Sequence, residues 1–351
     1  MQAWQIDKLG SISNLHRAEV PAPDALAGEV VMEVLYAGLN PADRYLAEGQ
    51  YPARPAMPHI LGRDAVGRII RLGEGVRGWK TGDMAIILRG PVGVKTPGTF
   101  AQQVAVPMGS LARVPTDWTL EEAAGASLVY MTAWQAIRQW GDLQTPTDMT
   151  SVPVENPAAR PPVAMGERPA VVLVTGASGG VGVATVQLAA GLGHTVAAFS
   201  RSGEKRKRLS TLGAAITLDP ADSQWRKTLL AALNGKKVDL AVDNIGGAQF
   251  SELMDVMGVF GRISVVGRLA GPVPQFNTAT LFFRRLRIGG VSVGDYTAEQ
   301  AQAVWQSVLR ILAIKKQKPL VDGIFEFAEL PAAFDHLAAG PMGKVLLRVG
   351  T

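Results

Sequence analysis

The 351-residue chain contains no cysteine. That excludes a disulfide framework, a thiol nucleophile, an iron–sulfur cluster and any cysteine-ligated zinc. Histidine is nearly as scarce. The four, His16, His59, His194 and His336, show no metal-ligand spacing, and each reads as a surface or core residue. Long apolar runs are missing too: none approaches the ~18–20 residues that span a bilayer. The opening Met1–Asp7 lacks the basic flank and apolar run of a signal peptide. A cytoplasmic location with no membrane partner is therefore expected. A broad basic face is also absent. The net charge of +5 comes from 35 basic and 30 acidic residues, and only Lys205–Arg208 is densely basic, so no nucleic-acid partner is expected.

What is present is an ordinary globular balance, 47% hydrophobic and 19% charged, in a chain long enough for two domains. Residues 1–128 are rich in Gly and Pro, with short apolar runs at Glu29–Tyr36, Ala65–Leu72, Met84–Leu88 and Phe100–Val106. Turn signals such as Leu72-Gly73-Glu74-Gly75 separate them, which predicts a mostly-β domain. Over residues 129–294 the texture changes. Apolar strands at Val171–Thr175, Thr195–Ser200, Ala214–Leu218, Leu240–Asp243, Arg262–Val266 and Arg287–Val293 alternate with helix-length segments. Those segments are Val181–Gly191, Glu204–Leu212, Trp225–Leu233 and Phe250–Val256. Six strands with crossover helices predict a parallel, doubly wound α/β sheet. Thr297–Lys315 has helical spacing, and Phe325–Phe327 and Val345–Val349 resume the β texture. Residues 295–351 are therefore expected to complete the first domain around an inserted α/β domain. Residues 144–169, with six prolines and little periodicity, read as an exposed excursion.

The strongest local signal is a glycine turn. Val171–Thr175 runs into Gly176-Ala177-Ser178-Gly179-Gly180-Val181-Gly182 and then into an apolar helix. Strand, glycine turn and helix form the context of a dinucleotide fingerprint. Gly179 lets backbone approach a pyrophosphate, Gly182 lets helix pack closely on strand, and the helix N-terminus faces the anion. Ala177 stands where the usual first glycine would be. A tight turn without ligand is the bland alternative. An NAD site usually ends its next strand with Asp or Glu to hold the ribose hydroxyls. Here the residues are Ser200-Arg201-Ser202 with Lys205 a turn later, two cations suited to a 2′-phosphate, so NADPH is the expected cofactor.

In order along the chain, several segments resemble the medium-chain dehydrogenase/reductase superfamily, in particular its zinc-independent quinone oxidoreductase branch. They are Gly38-Leu39-Asn40-Pro41-Ala42-Asp43-Arg44-Tyr45 with Tyr51 following, Leu61–Ile69, Gly98–Ala101, Glu122–Trp134, Val242–Gly247 and Gly261–Gly267. The resemblance implies a six-stranded Rossmann domain inserted in a GroES-like catalytic domain, with the nicotinamide in a cleft between them. It places cofactor contacts at Thr132, Ser178, Gly179, Gly180, Val181, Ser200, Arg201, Lys205, Asn244, Gly267, Val291, Val293 and Lys344. Tyr45 is the implied catalytic donor to a substrate carbonyl, with Asn40 second and Tyr51 in the same set. Zinc-dependent relatives put a cysteine at the position of Asn40 and a histidine at that of Arg63, so no metal is expected. Arg44 and Arg63 are expected to pair with Asp43 and Asp64. The last sheet strand is the implied edge of a homodimer. The implied activity is NADPH-dependent reduction of quinones or α,β-unsaturated carbonyls. Reduction of enoyl-thioesters, or nucleotide binding with little turnover, are the alternatives.

Overall fold

The computed structural model describes residues 1–141, 169–272 and 274–350. The expected proline-rich excursion therefore lies, apart from Pro169, outside the described residues. The chain forms two compact units.

The first unit comprises Met1–Met131, Val293–Ser307 and Lys318–Thr351. Its hub is β3 (Glu29–Gly38), in which Val30, Val31 and Met32 are buried in succession because both faces are covered. Around β3 run β5 (Asp64–Leu72), β6 (Met84–Ile87), β7 (Gln103–Pro107), β8 (Leu111–Arg113), β15 (Val321–Glu326) and β16 (Lys344–Arg348). The order is β15-β16-β3-β5-β6-β8, with β7 also on β3. A smaller sheet joins β1 (Gln2–Ile6) to β2 (Leu15–Glu19) and β4 (His59–Ile60). Register does the positioning. Gly38 lies opposite both Asp64 of β5 and Leu346 of β16, so the ends of three strands meet where the chain enters Asn40. Helix α1 (Pro41–Ala47) starts there, with Pro41 in its first turn and the Asp43 carboxylate accepting from the Asn40 amide at 2.9 Å. Helix α2 (Leu120–Ala124) has a full capping box between Thr119 and Glu122, and α10 (Leu330–Ala338) packs Phe334 edge-on against Phe100. Helices α3 (Ser127–Arg138) and α9 (Ala298–Ile314) begin in this unit and end in the other.

The second unit comprises Thr132–Ser292 and Val308–Gln317. Its sheet is the expected one: six parallel strands, doubly wound. They are β9 (Val171–Val174), β10 (Thr195–Phe199), β11 (Ile216–Leu218), β12 (Val238–Asp243), β13 (Met257–Val265) and β14 (Arg287–Gly290). The order β11-β10-β9-β12-β13-β14 reverses direction between β9 and β12, which is where such sheets hold ligands. The crossovers include α4 (Gly180–Gly191), α5 (Gly203–Thr211), α6 (Trp225–Ala232), α7 (Gly247–Val256) and α8 (Thr278–Arg284). Strand β14 stops three residues before the expected Val293, which instead opens a 3₁₀ turn, Val293–Asp295. Helix α8 has no counterpart in the sequence reading. Its residues Phe282 and Phe283 are exposed, so no buried stripe marks it.

Candidate active site

At the reversal point the turn after β9 reaches α4 through Gly179, whose backbone is extended and which offers no side-chain cap. The first amides of α4 are thus left for an incoming acceptor. Across the turn, Asp243 at the end of β12 is wholly buried, with no cation in hydrogen-bond contact among the described residues. It accepts instead from the Thr175 hydroxyl at 2.7 Å and from the amides of Ile245 and Gly246. That clamp fixes Asn244. Its Nδ2 donates to the Thr175 carbonyl at 2.8 Å, which leaves Oδ1 buried without a partner among the described residues. A buried carbonyl oxygen beside an uncapped helix N-terminus fits a dinucleotide, whose ribose and amide groups can donate to it. Asp243 lay inside a motif already noted, and the small residues after it gave the signal for such a turn.

The loop after β10 is held by a residue that sequence reasoning passed over. Arg206 Nη1 lies 2.6 Å from the Ser200 carbonyl, 3.1 Å from that of Arg201 and 3.0 Å from Asp219 Oδ2. It ties this loop to the residue following β11. Ser202 caps α5 by accepting from the Lys205 amide, and Arg201 is exposed. Arg201 and Lys205 thus flank a fixed backbone, whereas Arg206 is spent on fixing it.

In the first unit the ends of β3, β5 and β16 bring six polar side chains together. Lys344 Nζ, 3% exposed as a residue, donates to Asn40 Oδ1 at 2.5 Å and to Asp64 Oδ2 at 2.6 Å. Asn40 Nδ2 donates to Asp64 Oδ2 at 3.1 Å and to the Gly38 carbonyl at 3.3 Å. Asp64 Oδ1 accepts from Ser127 Oγ and the Leu128 amide, pinning the start of α3. Arg63 Nε donates to Asp43 Oδ1 at 2.9 Å. Burial pushes the Asp43 carboxyl above its ordinary pKa, against the opposing pull of Arg63 and Lys344. Burial also works against the Arg63 charge, but Asp43 and Tyr51 beside it outweigh this and raise its pKa. His59 is buried nearby and shifts the other way, lowered by burial and further by Arg63, against a raising hydrogen bond to Gly93.

Three of the expected site residues meet here. The Lys344 ammonium is enclosed by Asn40 and Asp64. Asn40 has both amide hydrogens engaged, on Gly38 and Asp64. Arg63 pairs with Asp43 as expected, but Asp64 pairs with Lys344, and Arg44 with Glu48 one helical turn on at 2.7 Å. Tyr45 on α1 and Tyr51 just after it are both half-buried. A zinc ion does not fit this donor set. Arg63, a cation, and Asn40, an amide whose oxygen already accepts from Lys344, stand at the positions that would have to coordinate it. Among the described residues no cluster of His, Cys, Asp or Glu is arranged to hold a metal ion. Likewise, no described helix is long and apolar enough to cross a membrane.

An oxidoreductase is the class of protein these two units define. Residues 26–116 match the alcohol dehydrogenase GroES-like domain and residues 180–313 the zinc-binding dehydrogenase family. The chain belongs to the medium-chain dehydrogenase/reductase superfamily, in its quinone-oxidoreductase-like branch. It is 26% identical over 332 residues to a quinone oxidoreductase of Rattus norvegicus, covering 93% of this chain and 91% of that one. It is also 26% identical to an acryloyl-coenzyme A reductase of Metallosphaera sedula, with 94% and 95% covered. Among solved structures, an NAD-dependent alcohol dehydrogenase superposes with a TM-score of 0.84 at 26% identity, with 100% of both chains covered.

Proposed function

We propose that the chain is an NADPH-dependent reductase that delivers hydride to quinones or α,β-unsaturated carbonyls without a metal ion. The observation that carries this reading is the polar network of Asn40, Arg63 and Lys344, in which Asn40 and Arg63 stand where the resemblance puts metal ligands in zinc-dependent relatives. NADPH, when bound, supplies the hydride. Ser178 and the amides of Gly180 and Val181 would hold its pyrophosphate above Gly179, whose own amide donates to the Gly176 carbonyl. Ser200, Arg201 and Lys205 hold the ribose 2′-phosphate, and Thr132, Asn244, Gly267, Val291 and Val293 hold the remainder. The hydroxyls of Tyr45 and Tyr51 donate to the acceptor oxygen as it takes up negative charge. Asn40 and Lys344 position the backbone that carries Tyr45.

The rat relative's name supports a quinone acceptor. The Metallosphaera relative's name supports a second reading, reduction of an enoyl-thioester. NADPH consumption with quinones, enones and enoyl-thioesters in turn tests both. Tight NADPH binding with no turnover on any of them would leave a nucleotide-binding protein instead. Strand β14 ends the sheet, and Ile288 on it, with Phe282 and Phe283 in the helix before it, is exposed. These features support pairing with a second copy of the chain, which light scattering in solution tests.

Cofactor choice makes a sharper prediction. Arg201→Ala and Lys205→Ala are each expected to raise KM for NADPH by roughly 10-fold or more, the worth of one lost charge-assisted contact to phosphate. KM for NADH should stay put, because NADH carries no 2′-phosphate. Equal KM values for the two cofactors in the wild-type chain would rule the preference out.

A further inference from the structure

We infer that Arg63 is the positioning residue that directs the Tyr51 hydroxyl hydrogen onto the acceptor oxygen, an inference that rests on the reductase reading above. A guanidinium has five donors and no acceptor. In Arg63 they are held from three sides. Nε donates to Asp43 Oδ1 at 2.9 Å, Nη2 to the Ala42 carbonyl at 3.3 Å, and Nη1 lies 3.5 Å from the Tyr51 hydroxyl oxygen. The same guanidinium sits 5.1 Å from the centre of the Tyr51 ring. Neither partner is loose. The Arg63 side chain is only 10% exposed against a fully buried Asp43. The Tyr51 ring packs on the core of its unit, and Arg54 donates to the carbonyls of Gly49, Tyr51 and Ala53 to hold the turn.

The chemistry follows from donor bookkeeping. Facing a group that can only donate, the Tyr51 oxygen accepts, so its own hydrogen points elsewhere and is free for an acceptor. The cation also stabilises negative charge left on that oxygen. Charge neutralisation of Asp43 alone would need neither a guanidinium over the ring nor its approach to the hydroxyl. The step balances as one hydride from the cofactor to the acceptor and one proton from Tyr51 to the acceptor oxygen. The phenolate left beside Arg63 recovers its proton from water.

The test is turnover of a quinone at saturating NADPH in Tyr51→Phe, Arg63→Met, Arg63→Lys and the Tyr51→Phe/Arg63→Met pair. Tyr51→Phe and Arg63→Met should each lower kcat on the order of 10- to 100-fold, with the dissociation constant for NADPH unchanged. The double variant should be no slower than Tyr51→Phe alone, as expected of residues acting through one hydroxyl. Arg63→Met strands the Asp43 charge, so Asp43→Asn/Arg63→Met serves in its place if the single variant does not fold. Arg63→Lys keeps a partner for Asp43 but loses the guanidinium over the Tyr51 ring. It should melt near the wild-type temperature and still turn over slowly. Full activity in Arg63→Lys, or additive losses in the double variant, would overturn this inference alone. A wild-type chain that binds NADPH and reduces no carbonyl acceptor would overturn the reductase reading and this inference with it.

Discussion

Replacing Lys344 by methionine is expected to destabilise the cofactor-free protein by about 3–5 kcal/mol, the usual result of removing one partner from a buried ion pair. Methionine matches the length of the aliphatic stem, so the loss comes from charge and not from a cavity. Asp64 would keep the donors Ser127, Leu128 and Asn40, but its carboxylate would be fully buried without a cation in contact. The melting midpoint should fall on the order of 10 °C. Adding Asp64→Asn should recover part of that fall, because an amide leaves no unpaired charge behind. The experiment also separates two uses of the lysine. A phosphate-binding Lys344 would leave the cofactor-free melting point untouched and weaken NADPH binding. A Lys344 buried on Asp64 does the reverse, and an unchanged midpoint in Lys344→Met would defeat the latter.

The physical reach of each interaction decides what could be read in advance. Parallel strands buried on both faces are short continuous apolar runs, so β9, β10 and β12 are legible as Val171–Thr175, Thr195–Ser200 and Leu240–Asp243, each within two residues of the observed bounds. The glycine turn was visible because every residue it needs lies within one βα unit. Helix α1 is not legible as a helix, although Asn40-Pro41 and Asp43 carry its capping signal, since it is only seven residues long. The Lys344–Asp64 pair was out of reach. Its members are 280 residues apart and meet only through the registers of β16 and β5 on β3. Arg206 and Asp219 are 13 residues apart across β11, and nothing local distinguishes Arg206 from its basic neighbours. For Lys344 a motif match gives a position along the chain, not which way an ammonium turns.

Within the turn itself, two glycines are expected to respond in opposite ways, and the contrast tests the nucleotide site. A Cβ on Gly182 would stand 2.3 Å from the Gly176 carbonyl oxygen and 2.6 Å from Ala177 Cα. Both are backbone atoms that cannot turn aside, so Gly182→Ala must push α4 off β9. We expect it to cost about 1–3 kcal/mol or more in the cofactor-free protein, and to weaken NADPH binding as a consequence. A Cβ on Gly179 would meet nothing nearer than the Gly176 oxygen, at 3.6 Å, and its φ of −74° suits alanine. Gly179→Ala should therefore keep its melting point, within about 0.5 kcal/mol of the wild-type stability. Its methyl group would nonetheless occupy the space through which a pyrophosphate approaches the amides of α4. The dissociation constant for NADPH should rise roughly 10-fold or more, equivalent to about 1.4 kcal/mol. Calorimetric titration of Gly179→Ala with NADPH gives the decision. Unchanged affinity in a fully folded variant would mean that the turn closes a βα unit and holds no phosphate, whereas a folded variant that has lost NADPH assigns the space above Gly179 to the cofactor.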